Sequence, residues 1–165
     1  AFEPGPGVGG HCIPIDPYYL NWIAKKNKMK INFIGLAGKI NDMMPNWIIK
    51  EALKNRLIKS ALILGVAYKK NVDDMRESPA LEFIKILSKK KIKVDYYDPY
   101  IKIIKTRKFK KNFKSINIKK IHKYDIVFLL TDHDNLDYDY IKKNAKLIID
   151  TRNVYKKNSN KIIKL

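Results

Sequence analysis

The sequence predicts an α/β fold: a parallel sheet with helices on both faces, preceded by a long-helix region. Three observations carry this. Short apolar runs recur from residue 60 onward, the first being "SALILGVAY" at 60–68, with none of the alternation that marks a half-exposed strand. Stretches with helical spacing separate those runs, which is the pattern of βαβ units. Ahead of them, residues 31–57 place apolar side chains at intervals of three and four over a length that a small domain does not need.

Taken in order, residues 1–16 read as a loop rich in Gly and Pro. Asp16 suits an N-cap and Pro17 the first helical position, where the missing N–H has no partner to lose. A helix to about Lys26 follows, with a break at Asn27 and Lys28. The long helix over 31–57 repeats Phe33, Leu36, Ala37, Ile40, Met43, Met44, Trp47, Ile48 and Ala52, with Pro45 inside it as a kink or a lost hydrogen bond. About 26 helical residues span about 39 Å, which fits a connector or a dimer face. The spacing divides the chain into 1–57 and 58–165. After the strand at 60–68 come a polar loop, "KKNVDDMRES", and a helix start at Ser78 and Pro79 leading into "ALEFIKILSKK". Further strands are expected at 93–99, 125–131 and 146–151, with a short helix around 135–143. Residues 100–124 suit a short strand or an irregular connection whose lysines mark a surface, and Phe109 and Phe113 within it are expected to anchor it to its own core.

A composition of 45% hydrophobic and 31% charged residues is that of a globular chain. No run of about 18 apolar residues exists to cross a membrane. The first ten residues lack the apolar segment of a secretory leader, and one cysteine cannot close an internal disulfide, so a reducing, cytoplasmic setting is expected. The net charge of +19 raises the possibility of nucleic acid. It comes, however, from 31 Lys and only 4 Arg, and nucleic-acid surfaces favour the planar fork of Arg. A solvated lysine coat is the better account, and no nucleic-acid partner is expected. The chain opens in mid-loop without Met, as a fragment of a longer protein would.

Gly5, Gly7 and Gly10 match G-x-G-x-x-G, but no strand precedes them and Pro4 and Pro6 interrupt them, so the dinucleotide fingerprint does not apply. A loop passing close to a ligand explains the glycines better. Cys12 lies between this loop and the helix start at Asp16. A buried core cysteine and a nucleophile favoured by the helix N-terminus both remain open on chemistry alone. One Cys beside one His falls short of a zinc site. Lys69 and Arg76 follow the first strand and Arg152 follows the last, and in open α/β sheets ligands bind beyond the carboxyl ends of strands. Each loop alone could be merely solvated; two cationic loops at one sheet edge favour an anion site.

"GPGVGGHCIPIDPYYL", "GVAYKKNVDDMRESPALE" and "DTRN", in that order, resemble the UDP-glucose/GDP-mannose dehydrogenase family over nearly the whole chain. The "GGHCIPIDPYYL" form is similar to the branch acting on UDP-N-acetylhexosamines, UDP-N-acetyl-D-mannosamine among them. The resemblance implies a three-part, NAD-dependent enzyme: an NAD-binding domain, a central helical dimerisation region, and a Rossmann-like UDP-sugar-binding domain. This chain would hold the last two and would be inactive alone. By the same resemblance Cys12 is a nucleophile that forms a thiohemiacetal and then a thioester at the sugar C6, and Asp16 handles protons around the attacking water. Glu3, Pro4, Gly5, Pro6, Gly7, Val8 and Gly9 match the stretch that wraps the sugar nucleotide. Tyr68, Lys69 and Arg152 match substrate contacts, and Arg76, with Cys12, the NAD side of the cleft. The chain departs from the UDP-glucose branch at Ile15, where a lysine is usual, and at His11, where a serine is usual. The competing expectations are a nucleotide-sugar-binding or dimerisation module without catalysis, and a basic nucleic-acid binder.

Overall fold

The computed structural model describes residues 4–106, 109, 112–157 and 159–165. Asp16–Lys26 form helix α1, with Pro17 in its first turn and Lys25 and Lys26 at the negative end of its dipole. Asp16 is not the N-cap. Ile15 is the flanking residue, and the N–H groups of Ile15 and Asp16 donate to the Cys12 carbonyl at 3.0 and 2.8 Å, so a backbone turn precedes the helix in place of a side-chain cap. Helix α2 is Asn32–Leu53, shorter than the expected 31–57, and it continues through Pro45. It closes where Lys54 turns extended and Asn55 adopts a left-handed φ of 57°. Its C-terminal half buries Ile48, Ile49 and Ala52 against the sheet domain.

The strands are β1 Ser60–Leu64, β2 Lys93–Tyr97, β5 Ile126–Leu129, β6 Ile148–Asp150 and β7 Ile162–Lys164. They form one parallel sheet in the order β2-β1-β5-β6-β7. β1 and β5 are shorter than their apolar runs, because the runs continue into the loops beyond the strands: Val66 and Ala67 stay buried after β1 has ended, and Leu130 after β5. The edge strand β7 has no counterpart among the expected elements, being only three residues long. Helix α3, Pro79–Lys89, starts at Ser78, whose hydroxyl accepts from the Ala80 N–H at 3.2 Å as expected of an N-cap. Helix α4 is Tyr138–Asn144, capped by Asp137. Alternate strand residues divide the core into two layers. Ala61, Ile63 and Phe128 meet α2 and α3 on one face, while Leu62, Leu64, Val127 and Leu129 meet Ile141 of α4 on the other.

The weakly patterned stretch 100–124 holds two short antiparallel strands, β3 Ile103–Ile104 and β4 Phe113–Lys114, and a 3-10 helix at Ile118–Lys123. Phe109 and Phe113 meet edge to face at 5.2 Å between ring centres and pack on the core, as expected of anchors.

Setting the small β3–β4 sheet aside, the parallel strands run in the order 2-1-3-4-5, the flavodoxin-like winding. Chain direction across the sheet reverses between β1 and β5. Gly65 ends β1 there with a φ of +79°, and a Cβ at this position would strike Thr131 at the end of β5. The loops after β1 and β5 therefore flank the point where such folds hold ligands.

Candidate functional site

The glycine loop lies across the loops that follow the strand ends. The Gly10 N–H donates to the Arg76 carbonyl at 2.8 Å. Gly10 has a φ of +94°, and its Cα faces the Tyr68 ring, to which any Cβ would come within 3.0 Å. Gly5 lies against the Arg152 guanidinium, and Gly7 against Pro79 at the start of α3. The glycines thus let the loop close onto side chains of its own chain, where the sequence suggested close approach to a ligand. Glu3 lies outside the described residues; Pro4 and Val8 are exposed and Pro6 is buried.

Cys12 is exposed, which excludes the core-cysteine alternative. It stands one turn ahead of α1, whose N-terminus favours negative charge nearby. Asp16 follows in the first turn and is also exposed. Arg76 is close enough to Cys12 and Tyr68 for both to favour its charged form, but its main partner is Asp74, which takes its Nε at 2.9 Å and an NH2 group at 2.6 Å. The pair holds Asp74 below the ordinary carboxylate range and Arg76 above its ordinary value. Lys69, exposed in the loop after β1, and Arg152, half-buried after β6, stand at the same edge of the sheet. Arg152 donates from Nε to Asp132 at 3.1 Å and from its backbone N–H to Asp150 at 3.0 Å.

Beneath this edge lies a polar network that the sequence did not point to. Asp98, fully buried at the end of β2, accepts from the N–H groups of Val66, Ala67, Tyr100 and Ile101 and from His133 Nε2 at 3.1 Å. Burial pushes its carboxyl up, but the bonds from His133 and the backbone outweigh that and hold it below the ordinary range. Thr131 donates to the Ala67 carbonyl at 2.7 Å. The one available signal was Asp-Pro at the end of an apolar strand, which reads equally well as a plain turn. A cleft of about 990 Å³ lies between the glycine loop, α1, α2 and the start of α3; Gly7, Val8, Tyr18, Asn41 and Pro79 are in its walls, whereas Cys12, Lys69 and Arg152 are not. Among the described residues no group of three or more His, Cys, Asp or Glu is arranged to hold a metal, and no helix is long and apolar enough to cross a membrane.

Cationic loops beyond the strand ends of a 2-1-3-4-5 parallel sheet define an α/β domain of the kind that binds nucleotides there. The chain belongs to the UDP-glucose/GDP-mannose dehydrogenase family, a family of oxidoreductases: the family's UDP binding domain matches residues 62–157 and its central domain residues 1–43. The UDP-N-acetyl-D-mannosamine dehydrogenase of Methanococcus vannielii is 40% identical over 94% of this chain and 37% of its own length. That of Methanocaldococcus jannaschii is 39% identical over 92% of this chain and 36% of its own. The solved UDP-D-ManNAc dehydrogenase of Pyrococcus horikoshii superposes with a TM-score of 0.77 at 34% identity, covering 99% of this chain and 39% of that one. The chain therefore spans less than two-fifths of the length of these relatives.

Proposed function

We propose that this chain is the catalytic-loop and sugar-nucleotide-binding part of an NAD-dependent UDP-sugar 6-dehydrogenase. Its substrate is a UDP-N-acetylhexosamine, UDP-N-acetyl-D-mannosamine before others, whose C6 alcohol becomes a carboxylate in the cytoplasm. The observation that carries this reading is the juxtaposition of the exposed Cys12, in its loop, with the loops bearing Tyr68, Arg76 and Arg152. Residues 1–57 serve as the catalytic loop and helical dimerisation region, and 58–165 as the UDP-sugar domain.

In this reading Lys69 and Arg152 neutralise the diphosphate, Tyr68 and the stretch Glu3–Gly9 bound the nucleotide, and Arg76 faces the cofactor side. NAD would accept the two hydrides that the overall oxidation releases. Among the described residues no G-x-G-x-x-G turn joins a strand to a helix to cradle its pyrophosphate: the turn after β1 has Gly65 alone. What these residues do is hold carbon and protons. The Cys12 thiolate adds to the C6 aldehyde and retains it as a thiohemiacetal; at the carboxylic-acid oxidation level the same sulfur holds a thioester, which water cleaves. Asp16 accepts the proton of that water.

The test uses the chain itself. Alkylation of Cys12 by iodoacetamide should be slowed by UDP-N-acetylmannosamine, and calorimetry should detect UDP binding that weakens about tenfold in Lys69→Ala or Arg152→Ala, the scale of a charge-assisted hydrogen bond. Detectable UDP binding with an alkylation rate indifferent to every UDP-sugar would overturn the placement of Cys12 beside the sugar.

A further inference from the structure

The loop that presents Tyr68 and Lys69 is anchored on both sides of those residues, and the two anchors meet in one buried pair. On the near side, Val66 and Ala67 donate their N–H groups to Asp98 Oδ2 at 2.7 and 3.1 Å. On the far side, the Asn71 N–H donates to His133 Nδ1 at 3.0 Å. His133 is fully buried and its Nε2 lies 3.1 Å from the same Asp98 oxygen. Because Nδ1 accepts, the ring's proton sits on Nε2 and is donated to Asp98. Asn71 itself is in the left-handed region, with a φ of 61°, which Asn tolerates better than most residues. Its side chain exchanges bonds with Asp134, donating to Oδ2 and accepting from the Asp134 N–H at 3.0 Å, but these groups are exposed.

We propose that His133 is a positioning residue for the sugar nucleotide: its Nδ1 holds the Asn71 N–H and thereby sets the loop that carries Tyr68 and Lys69. The inference rests on the reading of Lys69 as a UDP contact. The bond to the buried imidazole is the decisive one. The bonds between the Asn71 side chain and Asp134 are exposed and contribute little against water, whereas the part-buried Asn71 N–H finds its acceptor on a ring that lies wholly in the core. Without that bond, the short bridge from Tyr68 to Lys70 is held at Ala67, by the Tyr68 N–H, which donates to the Asp74 carbonyl at 2.9 Å within the same loop, and by the exposed ion pair of Lys70 with Asp134 at 3.1 Å.

Three substitutions separate this from a merely structural role. His133→Asn retains an acceptor where Nδ1 stands; His133→Gln retains a donor toward Asp98 but loses that acceptor; Asn71→Gly retains the left-handed backbone and the N–H but removes the exposed contacts. Amide hydrogen exchange on the free chain should show the backbone N–H of position 71 unprotected in His133→Gln and protected in the other two. UDP affinity should fall about tenfold in His133→Gln and less than about fivefold in His133→Asn and Asn71→Gly. Should His133→Gln fail to fold, nitrogen-15 spectra of the wild-type imidazole decide: the inference requires a protonated Nε2 and an unprotonated Nδ1 coupled to the Asn71 amide, and a protonated Nδ1 would overturn it. Wild-type Asn71 protection or wild-type UDP affinity in His133→Gln would overturn it as well. Lys69→Ala with unchanged UDP affinity would instead remove the reading beneath it, while the exchange data would still report whether His133 holds the loop.

Discussion

Arg152 illustrates how much a residue's role depends on neighbours that are distant in sequence. Its Nε is taken by Asp132, and Gly5 leaves room for the rest of the guanidinium. A lysine there could not hold Asp132 and reach a ligand together, so Arg152→Lys should weaken UDP binding nearly as much as Arg152→Ala, which calorimetry would check. Gly5→Ala would drive a methyl group into the guanidinium and should weaken UDP binding without lowering the melting temperature, since the loop lies on the surface. Asp98 gives a pH prediction. Its carboxyl is held below its ordinary 3.8, so it favours the folded state fully above that value. That contribution disappears as pH falls through the lower folded-state value. Thermal melts from pH 6 to pH 2 should show wild-type stability dropping below about pH 4. Asp98→Asn should be less stable at neutral pH by about 1.5–3 kcal/mol, the scale of hydrogen bonds to a charged acceptor, with a flatter acid limb.

At the scale of elements, β1 and the turn after it decide whether the site forms. Gly65 has a φ of +79°, and a Cβ there would meet the Thr131 side chain and, at 2.6 Å, the Thr131 carbonyl oxygen. Gly65→Ala should destabilise the domain by about 2 kcal/mol or more through backbone strain and displacement of the β5 loop. Chemical denaturation would measure this, with loss of UDP binding accompanying it. Helix α2 divides into two functions. One face of its C-terminal half is core, through Ile48, Ile49 and Ala52, while Phe33, Leu36, Ile40, Met43 and Trp47 are exposed, Phe33 at 79% and Met43 at 65%. These five recur at three and four residues, the spacing of a helix seam.

For the whole molecule, that exposed seam supports the proposed homodimer, since an apolar stripe of this length on a surface marks an interface. Sedimentation should find a dimer at micromolar concentration, and the double substitution Met43→Lys with Trp47→Lys should give a folded monomer; a wild-type chain that stays monomeric at high micromolar concentration would count against it. The chain alone, given NAD+ and UDP-N-acetylmannosamine, should produce no NADH detectable by absorbance while still binding UDP. Sustained turnover dependent on Cys12 would show that these residues hold the cofactor after all.

The α/β class, the helix starts at Pro17 and Pro79, and the loops bearing Cys12, Lys69 and Arg152 were legible in the sequence, because each rests on local signals: apolar runs, proline and capping residues, and short motifs whose order survives without contacts. Strand ends were not legible, because burial continues past the last ladder bond at Val66 and Ala67. Nor was β7, whose three residues are a strand only because β6 offers them a ladder. Asp16 as a cap failed for a similar reason: the Cys12 carbonyl, four residues back, occupies the N–H groups at that turn. Tertiary structure alone decided that Asp98, from the end of β2, and His133, from the loop after β5, meet beneath the loop after β1. Their bonds span 31 to 62 residues of sequence, and no periodicity records a hydrogen bond between strands that become neighbours only when the sheet assembles.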